Sequence, residues 1–402
     1  MVSRRRHGRN GVMKNKVTQA CPAALTERLF GMPRGDFVRD YFERLPLHAE
    51  RQAAVLQLLP TLPEFAETLQ LITSDALTLR RSGKTPPTPC FASGIPDLSA
   101  VWAQFYDGAS IVADRLHCFD ERTRRMSTQL SYELAHRVGV NAYLSPLGGG
   151  AFDTHYDTHD VLVVQIAGEK AWLLYERPSQ VPAFTAKQHV DLPKDALEGR
   201  LLREVLMRPG DVLYLPRGMP HRAETVRGCS LHFSFGLVPI DWAEVLEIAI
   251  GILRKDDPAY RKHVSPDVFV EPATQLNATA VFEFANNACT KAVLDKVLQT
   301  IRKQLLQESA PAPRPVLDLY DAESFVGWSA GVFCEITESV DGSLIVSNGV
   351  KATKLAGSEA MIFRLIHNKA RIALRELDLE DRGEHIPVIE RLSALGLVCP
   401  AS

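Results

Sequence analysis

Along this chain the apolar positions recur first at helical spacing, then in alternation, then at helical spacing again. Between about residues 25 and 80 the period predicts helices over Phe37–Arg44, Ala49–Leu59 and Glu64–Ile72, the last two separated by Pro60 and Pro63. Thr85–Cys90, rich in proline, is a loop. Strands are predicted at Ile111–Phe119 and Asn141–Leu144, flanking a helix over Met126–Val138. Val161–Ile166 is mostly β-branched and apolar and reads as a buried strand. Gly168 then supplies a turn, and Ala171–Tyr175 returns as a second strand. Arg208–Asp211 is a turn signal, Val212–Leu215 a short strand, and Pro216–Pro220 ends that strand and presents His221. Ser230, His232 and Ser234 alternate with apolar residues on Cys229–Phe235, so one face of that strand is polar and points into a barrel that ends near Leu237.

From Asp241 the period is helical. Asp241 is an N-cap for Trp242–Arg254, and Ala278–Gln307 repeats apolar residues at one-turn spacing. Pro311–Pro315 is a linker. The last stretch has a strand-like piece at Ser343–Ser347 and helix-like pieces at Glu359–Ile366, Ala370–Leu377 and Pro387–Leu395. The predicted organisation is a basic, disordered tail at 1–24, a catalytic barrel with N-terminal helices at 25–240, a helical module at 241–310, a linker at 311–329 and a C-terminal domain at 330–402.

The candidate chemistry lies in the alternating region. His155 and Asp157 are two apart, so on an extended strand both side chains leave one face. His221 follows 64 positions after Asp157, at the end of the Val212–Leu215 strand. In a nearly closed barrel these places face each other across the mouth. Two histidines and one carboxylate form the set that holds non-heme Fe(II) and leaves coordination positions open. A lone His-x-Asp is weak evidence. Its place at a strand start, followed by a hairpin and a later Gly-Asp strand ending in Pro-His, is specific. His159 repeats the pattern further along the strand and reads as a residue that supports the site. Trp172 and Tyr214 read as core.

Several stretches together resemble the JmjC-type 2-oxoglutarate oxygenases, nearest to the ribosomal-protein hydroxylase branch of bacterial arginyl and eukaryotic histidyl hydroxylases. They are Asn141–Pro146, the Gly148–Gly150 run, His155–Asp160, Gln165–Trp172 and Pro209–His221. The resemblance covers roughly residues 95–240, and Phe37–Leu47 is also similar to the opening of those proteins. It implies an α+β chain whose core is a double-stranded β-helix (cupin or jelly roll), with a helical dimerisation module and a winged-helix-like C-terminal domain. It implies Fe(II) on His155, Asp157 and His221, with O2 and 2-oxoglutarate as co-substrates. It places Lys170 on the far carboxylate of 2-oxoglutarate and Tyr143, Asn141 and Ser145 along the same pocket; Ser234 and His232 join them as candidate contacts. The arginyl branch tends to carry arginine where this chain has Lys170, so the lysine leans toward the eukaryotic pattern. The implied reaction hydroxylates an amino-acid side chain of a protein, plausibly a ribosomal one, with release of succinate and CO2. A small-molecule or peptide-natural-product oxygenase and a non-catalytic metal-binding cupin are the alternatives.

Composition narrows the setting. With 46 Lys+Arg against 48 Asp+Glu over 402 residues, no global field selects nucleic acid. Residues 341–402 balance eight basic against eight acidic side chains, so the footprint of a DNA reader is missing and a protein-interaction role is expected there. The seven scattered cysteines lack CxxC spacing and argue for free thiols in a reducing, cytoplasmic setting. No apolar run reaches the length of a membrane span. The homodimer expectation rests on the helical module.

Overall fold

A computed structural model of the chain describes residues 14–19, 24–81, 85–91, 93–177, 199–264, 266, 278–309, 325–328, 333–348, 350–369, 371–377 and 385–400. The first strand, β1, is Lys14–Gln19; short helices α1 (Leu25–Phe30) and α2 (Arg34–Asp40) precede β2 (Leu47–Ala49). Helices α3 (Ala53–Leu56) and α4 (Leu62–Thr68), strand β3 (Leu77–Arg80), helix α5 (Leu98–Tyr106), strand β4 (Ser110–Ala113) and helix α6 (Glu121–Leu134) follow. The barrel strands are β5 (Arg137–Ser145), β6 (Asp160–Tyr175), β7 (Leu201–Met207), β8 (Val212–Leu215) and β9 (His221–Val238). They form one antiparallel sheet in the order β2-β8-β6-β9-β5-β4-β3, with β7 also paired to β6.

The apolar run of β6 is explained by cover on both faces. Leu162 and Val164, with Val212 and Tyr214 of β8, enter the main core beneath the N-terminal helices. Val161 and Val163, with Leu213 and Leu215, enter a second core with Trp172, Leu174, Val205 and Met207. A strand buried on both sides loses the polar half of its alternation.

The turn expected at Gly168 does not form. β6 is continuous over 16 residues and pairs with β9 from Asp160↔Leu237 to Leu174↔His221, with bulges between Gln165 and Lys170. On its other edge β8 covers Val161–Val164 and β7 covers Lys170–Tyr175. The glycine therefore bends the strand where it passes from one partner to the next. Its φ is +66°, and a Cβ there would lie 2.2 Å from the Cys229 carbonyl oxygen. Gly168→Ala is expected to cost about 3 kcal/mol or more; denaturant titration of the purified protein tests this, and an unchanged midpoint would contradict it.

Other expectations shift. His155 and Asp157 lie in a loop before β6 and not on a strand; only His155 forms a bridge, to His221. Ala49 ends a strand that pairs with β8, where a helix was expected. Residues 14–19 of the basic tail, expected to be disordered, form β1; residues 1–13 lie outside the described residues. The long helical stretch is two helices. After α7 (Trp242–Asp256) come α8 (Ala278–Ala288) and α9 (Lys291–Ser309). Asp241 caps α7 by accepting from the Glu244 amide. The linker reading fails at residues 325–328, which form β10 (Phe325–Trp328); Pro311–Pro315 lies outside the described residues.

The chain continues with β11 (Phe333–Glu338), β12 (Leu344–Ser347), β13 (Ala352–Leu355), α10 (Ser358–Asn368), β14 (Arg371–Ala373), α11 (His385–Ala394) and β15 (Val398–Pro400). The helix expected over Ala370–Leu377 is instead β14 followed by one 3₁₀ turn. Arg371–Ala373 is drawn into a three-stranded sheet with β10 and β15. The other sheet has the order β1-β11-β12-β13, so the start of the chain pairs with its last quarter.

Candidate metal centre

The backbone of His155 and that of His221 exchange two hydrogen bonds, N–H to O=C, at 3.1 and 2.8 Å. This bridge brings the two rings to 4.5 Å between centroids. The Gly218 amide donates to the Asp157 carbonyl at 2.8 Å, so the loop before β6 is stitched to the turn that leads to His221. As a result one ligand atom each from His155, Asp157 and His221 lie within 4.8 Å of one another.

Both histidines are set the same way. Nδ1 of His155 donates to the Asp153 carbonyl at 2.8 Å, and Nδ1 of His221 to the Met219 carbonyl at 2.9 Å. Each bond fixes the tautomer that presents an Nε2 lone pair, the usual arrangement behind a metal-ligating histidine. Nε2 of His221 is 3.7 Å from the Asp157 carboxylate. Burial, and then the neighbouring His221, press the His155 ring down to about 4, so it is uncharged at neutral pH. Donor atoms bound to one ion at about 2 Å lie roughly 3–4 Å apart. The donor set and spacing fit a divalent metal with open positions.

These three residues open onto a cavity of about 470 Å³. Its floor uses part of the polar face of two neighbouring strands in register: Asn141 faces Ser234 and Tyr143 faces His232, while the next pair, Ser145 and Ser230, lies beyond it. Asn141, Tyr143, His232 and Ser234 line the cavity with Lys170 and Trp172. Ser145 does not line it. It is buried behind the lysine, with its Oγ 3.1 Å from Lys170 Nζ and 2.9 Å from Ser110 Oγ. Tyr143 stacks on His232 at 4.9 Å and 9°, and burial pushes its phenol well above the usual range. Burial, and then the neighbouring Lys170, push the His232 ring well below the usual histidine range. Ring Nδ1 of His232 and Nε1 of Trp172 are buried without hydrogen-bond partners.

Lys170 is 1 % exposed, and among the described residues no carboxylate pairs with it. Loss of hydration alone brings its ammonium down to about 7. A buried cation facing a cavity without a counter-charge is costly unless an anion arrives.

His159 lines the cavity and packs on Gly236, where a Cβ would lie 2.7 Å from its Nε2. Trp172, read as core, is buried and also forms the wall beside His221, at 5.7 Å between rings. Asp75, Asp114, Arg115 and Phe152 also line the cavity and were not singled out from the sequence. The Arg80 guanidinium sits 5.1 Å from the Phe152 ring centroid. Asp114 directly follows β4, which pairs with the strand carrying Tyr143.

Residues 115–245 match the JmjC domain family. That stretch is similar to JmjC domains and holds most of the antiparallel, cupin-type sheet. Over 158 residues the chain is 34 % identical to the bifunctional lysine-specific demethylase and histidyl-hydroxylase NO66 of Drosophila melanogaster, covering 39 % of this chain and 24 % of that protein. It is 30 % identical over 168 residues to ribosomal oxygenase 2 of Rattus norvegicus, covering 40 % of this chain and 35 % of that protein. The chain thus spans about a quarter to a third of these two curated relatives. The fold is that of YcfD, a ribosomal oxygenase from Escherichia coli solved with cobalt and 2-oxoglutarate. That match has a TM-score of 0.54 at 15 % identity and covers 93 % of this chain and 99 % of YcfD.

Proposed function

We propose that this chain is an Fe(II)- and 2-oxoglutarate-dependent hydroxylase of a protein side chain, plausibly in a ribosomal protein. The observation that carries the reading is the buried, unneutralised Lys170 in the same cavity as the His155–Asp157–His221 cluster. A metal centre with open positions and a nearby cation together suit a dicarboxylate that chelates at one end. YcfD holds cobalt and 2-oxoglutarate on the same fold, and the named relatives are a histidyl-hydroxylase and ribosomal oxygenases.

When bound, iron supplies dioxygen activation coupled to conversion of 2-oxoglutarate to succinate and CO2. The chain's own residues do the rest. His155, Asp157 and His221 hold the metal and leave positions for co-substrate and oxygen. The Lys170 ammonium, steadied by Ser145, neutralises the distal carboxylate. Tyr143, Asn141, His232 and Ser234 line that end, and Trp172, Val161 and Ala223 give the cavity apolar walls that exclude water. The protein's contribution is placement of the reacting C–H bond and exclusion of side reactions.

Intact-mass measurement of the host's ribosomal proteins, with and without the gene, tests this. One protein is expected to carry a single added oxygen only when the gene is present. No such shift, with succinate still released in vitro, moves the substrate to a small molecule.

The helical module supports a homodimer reading. Trp242, Leu246 and Ile250, one turn apart on α7, are 81, 42 and 49 % exposed, and Val281 and Phe282 of α8 are exposed as well. The opposite face of α7 closes a small core with α9 through Ala249, Val297 and Ile301. Such an apolar stripe suits a second copy of the chain. Trp242→Glu is expected to halve the mass seen by light scattering; an unchanged mass would argue against this face. The C-terminal domain fits a winged-helix-like, protein-contacting role. Cys90, Cys118, Cys229 and Cys399 are free thiols, which supports a cytoplasmic setting. Among the described residues no helix is long and apolar enough to cross a membrane.

A further inference from the structure

Asp160 stands three residues past Asp157, is 2 % exposed and does not line the cavity. A buried carboxylate is retained only against its desolvation cost, so its partners matter. One oxygen accepts from the Tyr214 hydroxyl at 2.9 Å and the other from the Arg217 amide at 2.7 Å. The same hydroxyl accepts from the Glu43 amide at 2.8 Å. The Tyr214 ring is held edge-on by Phe37 at 5.1 Å and lies against Phe42 at 6.2 Å, both from the N-terminal segment.

Glu43 has φ +58°, a conformation that a residue with a side chain seldom keeps. There its backbone and side chain all contact the barrel. Its amide meets Tyr214, and its carboxylate pairs with Arg217 at 2.9 Å. Its carbonyl accepts from Arg177, which also donates to the Arg217 carbonyl. Arg217 and Gly218 begin the turn into His221, and Gly218 holds the Asp157 carbonyl. The two metal-bearing segments are thus tied to each other and to an N-terminal turn.

We infer that Asp160, Tyr214 and Glu43 are positioning residues that fix the loop carrying Asp157 against the turn carrying His221, so the N-terminal helices complete the metal centre while giving it no ligand. The inference rests on the metal-centre reading above. The test is Co(II) titration of the metal-free full chain, followed by calorimetry and by the ligand-field spectrum. Tyr214→Phe removes one hydroxyl and keeps the ring. It is expected to weaken Co(II) binding about 10- to 100-fold and to alter the spectrum. Glu43→Ala, at a half-exposed side chain, is expected to weaken it about two- to fivefold. Ile362→Val, in the C-terminal core, is expected to lower stability and leave both readouts alone. The inference is overturned by parent affinity and spectrum in Tyr214→Phe, by an unchanged Glu43→Ala where the first variant does not fold, or by an equal loss in Ile362→Val. A parent chain that binds no Co(II) would instead overturn the metal-centre reading.

Discussion

Lys170→Met is expected to make the ligand-free chain more stable and to destroy its affinity for 2-oxoglutarate. A purely structural lysine would not give both results. Burial brings this ammonium from 10.5 to about 7, and its nearest polar contact is the Ser145 hydroxyl at 3.1 Å. That drop corresponds to a penalty of about 5 kcal/mol on the charged form, taken as an upper bound. Methionine fills the same space without charge, so a gain of about 1–4 kcal/mol is expected at pH 7. The pH dependence has a definite sign. Below about pH 7 both the folded and unfolded chains hold the proton, and the folded state bears the full penalty. Between about 7 and 10.5 the unfolded chain keeps a proton the folded chain has lost, so parent stability rises with pH. The gap between variant and parent therefore narrows at pH 9, measured by chemical denaturation at the two pH values. Removing the cation should also cost about 2–5 kcal/mol of co-substrate binding, at least about thirtyfold. In the parent, 2-oxoglutarate affinity should fall as pH rises above about 7, because the lysine must then regain a proton. A variant that is less stable and binds 2-oxoglutarate as before would remove Lys170 from the site.

Asp157→Ala is expected to abolish succinate release while leaving the chain folded. The carboxylate gives the cluster its only acidic donor and lies 3.7 Å from Nε2 of His221. Loss of an outer hydrogen-bond partner commonly costs a metal site about 10–100-fold, and loss of a ligand should exceed that. Calorimetry with Fe(II) or Co(II) and a succinate assay read the two effects. In the parent, chelation should stop turnover and added Fe(II) should restore it. Turnover in the variant at the parental rate would refute the assigned cluster.

The convergence of His155, Asp157 and His221 was legible because its signals are local: a His-x-Asp spacing, and a turn that ends in Pro-His. The manner in which it is built was not. The expected strand carrying His155 and Asp157 is a loop, held by a two-residue bridge to His221 that no local pattern announces. Gly168 carries the letters of a turn and serves as a bulge, because its fate depends on strands β7 and β8 on the other edge of β6. Ala370–Leu377 has helical spacing, yet β10 and β15 take Arg371–Ala373 as a strand. Lys14–Gln19 is polar and basic, and only a distant partner makes it a strand. Asp160, beside two more conspicuous histidines, showed nothing of its hydrogen bonds to Tyr214 and Arg217.

The pairing of β1 with β11 has a consequence for synthesis on the ribosome. Lys14 emerges roughly 320 residues before Glu338, the residue it will face. At about 5–20 residues per second, that interval is some fifteen seconds to a minute. Throughout it β1 has no mate and must wait for β11. Slowing elongation should therefore lengthen the interval in which this segment is open to proteases and chaperones.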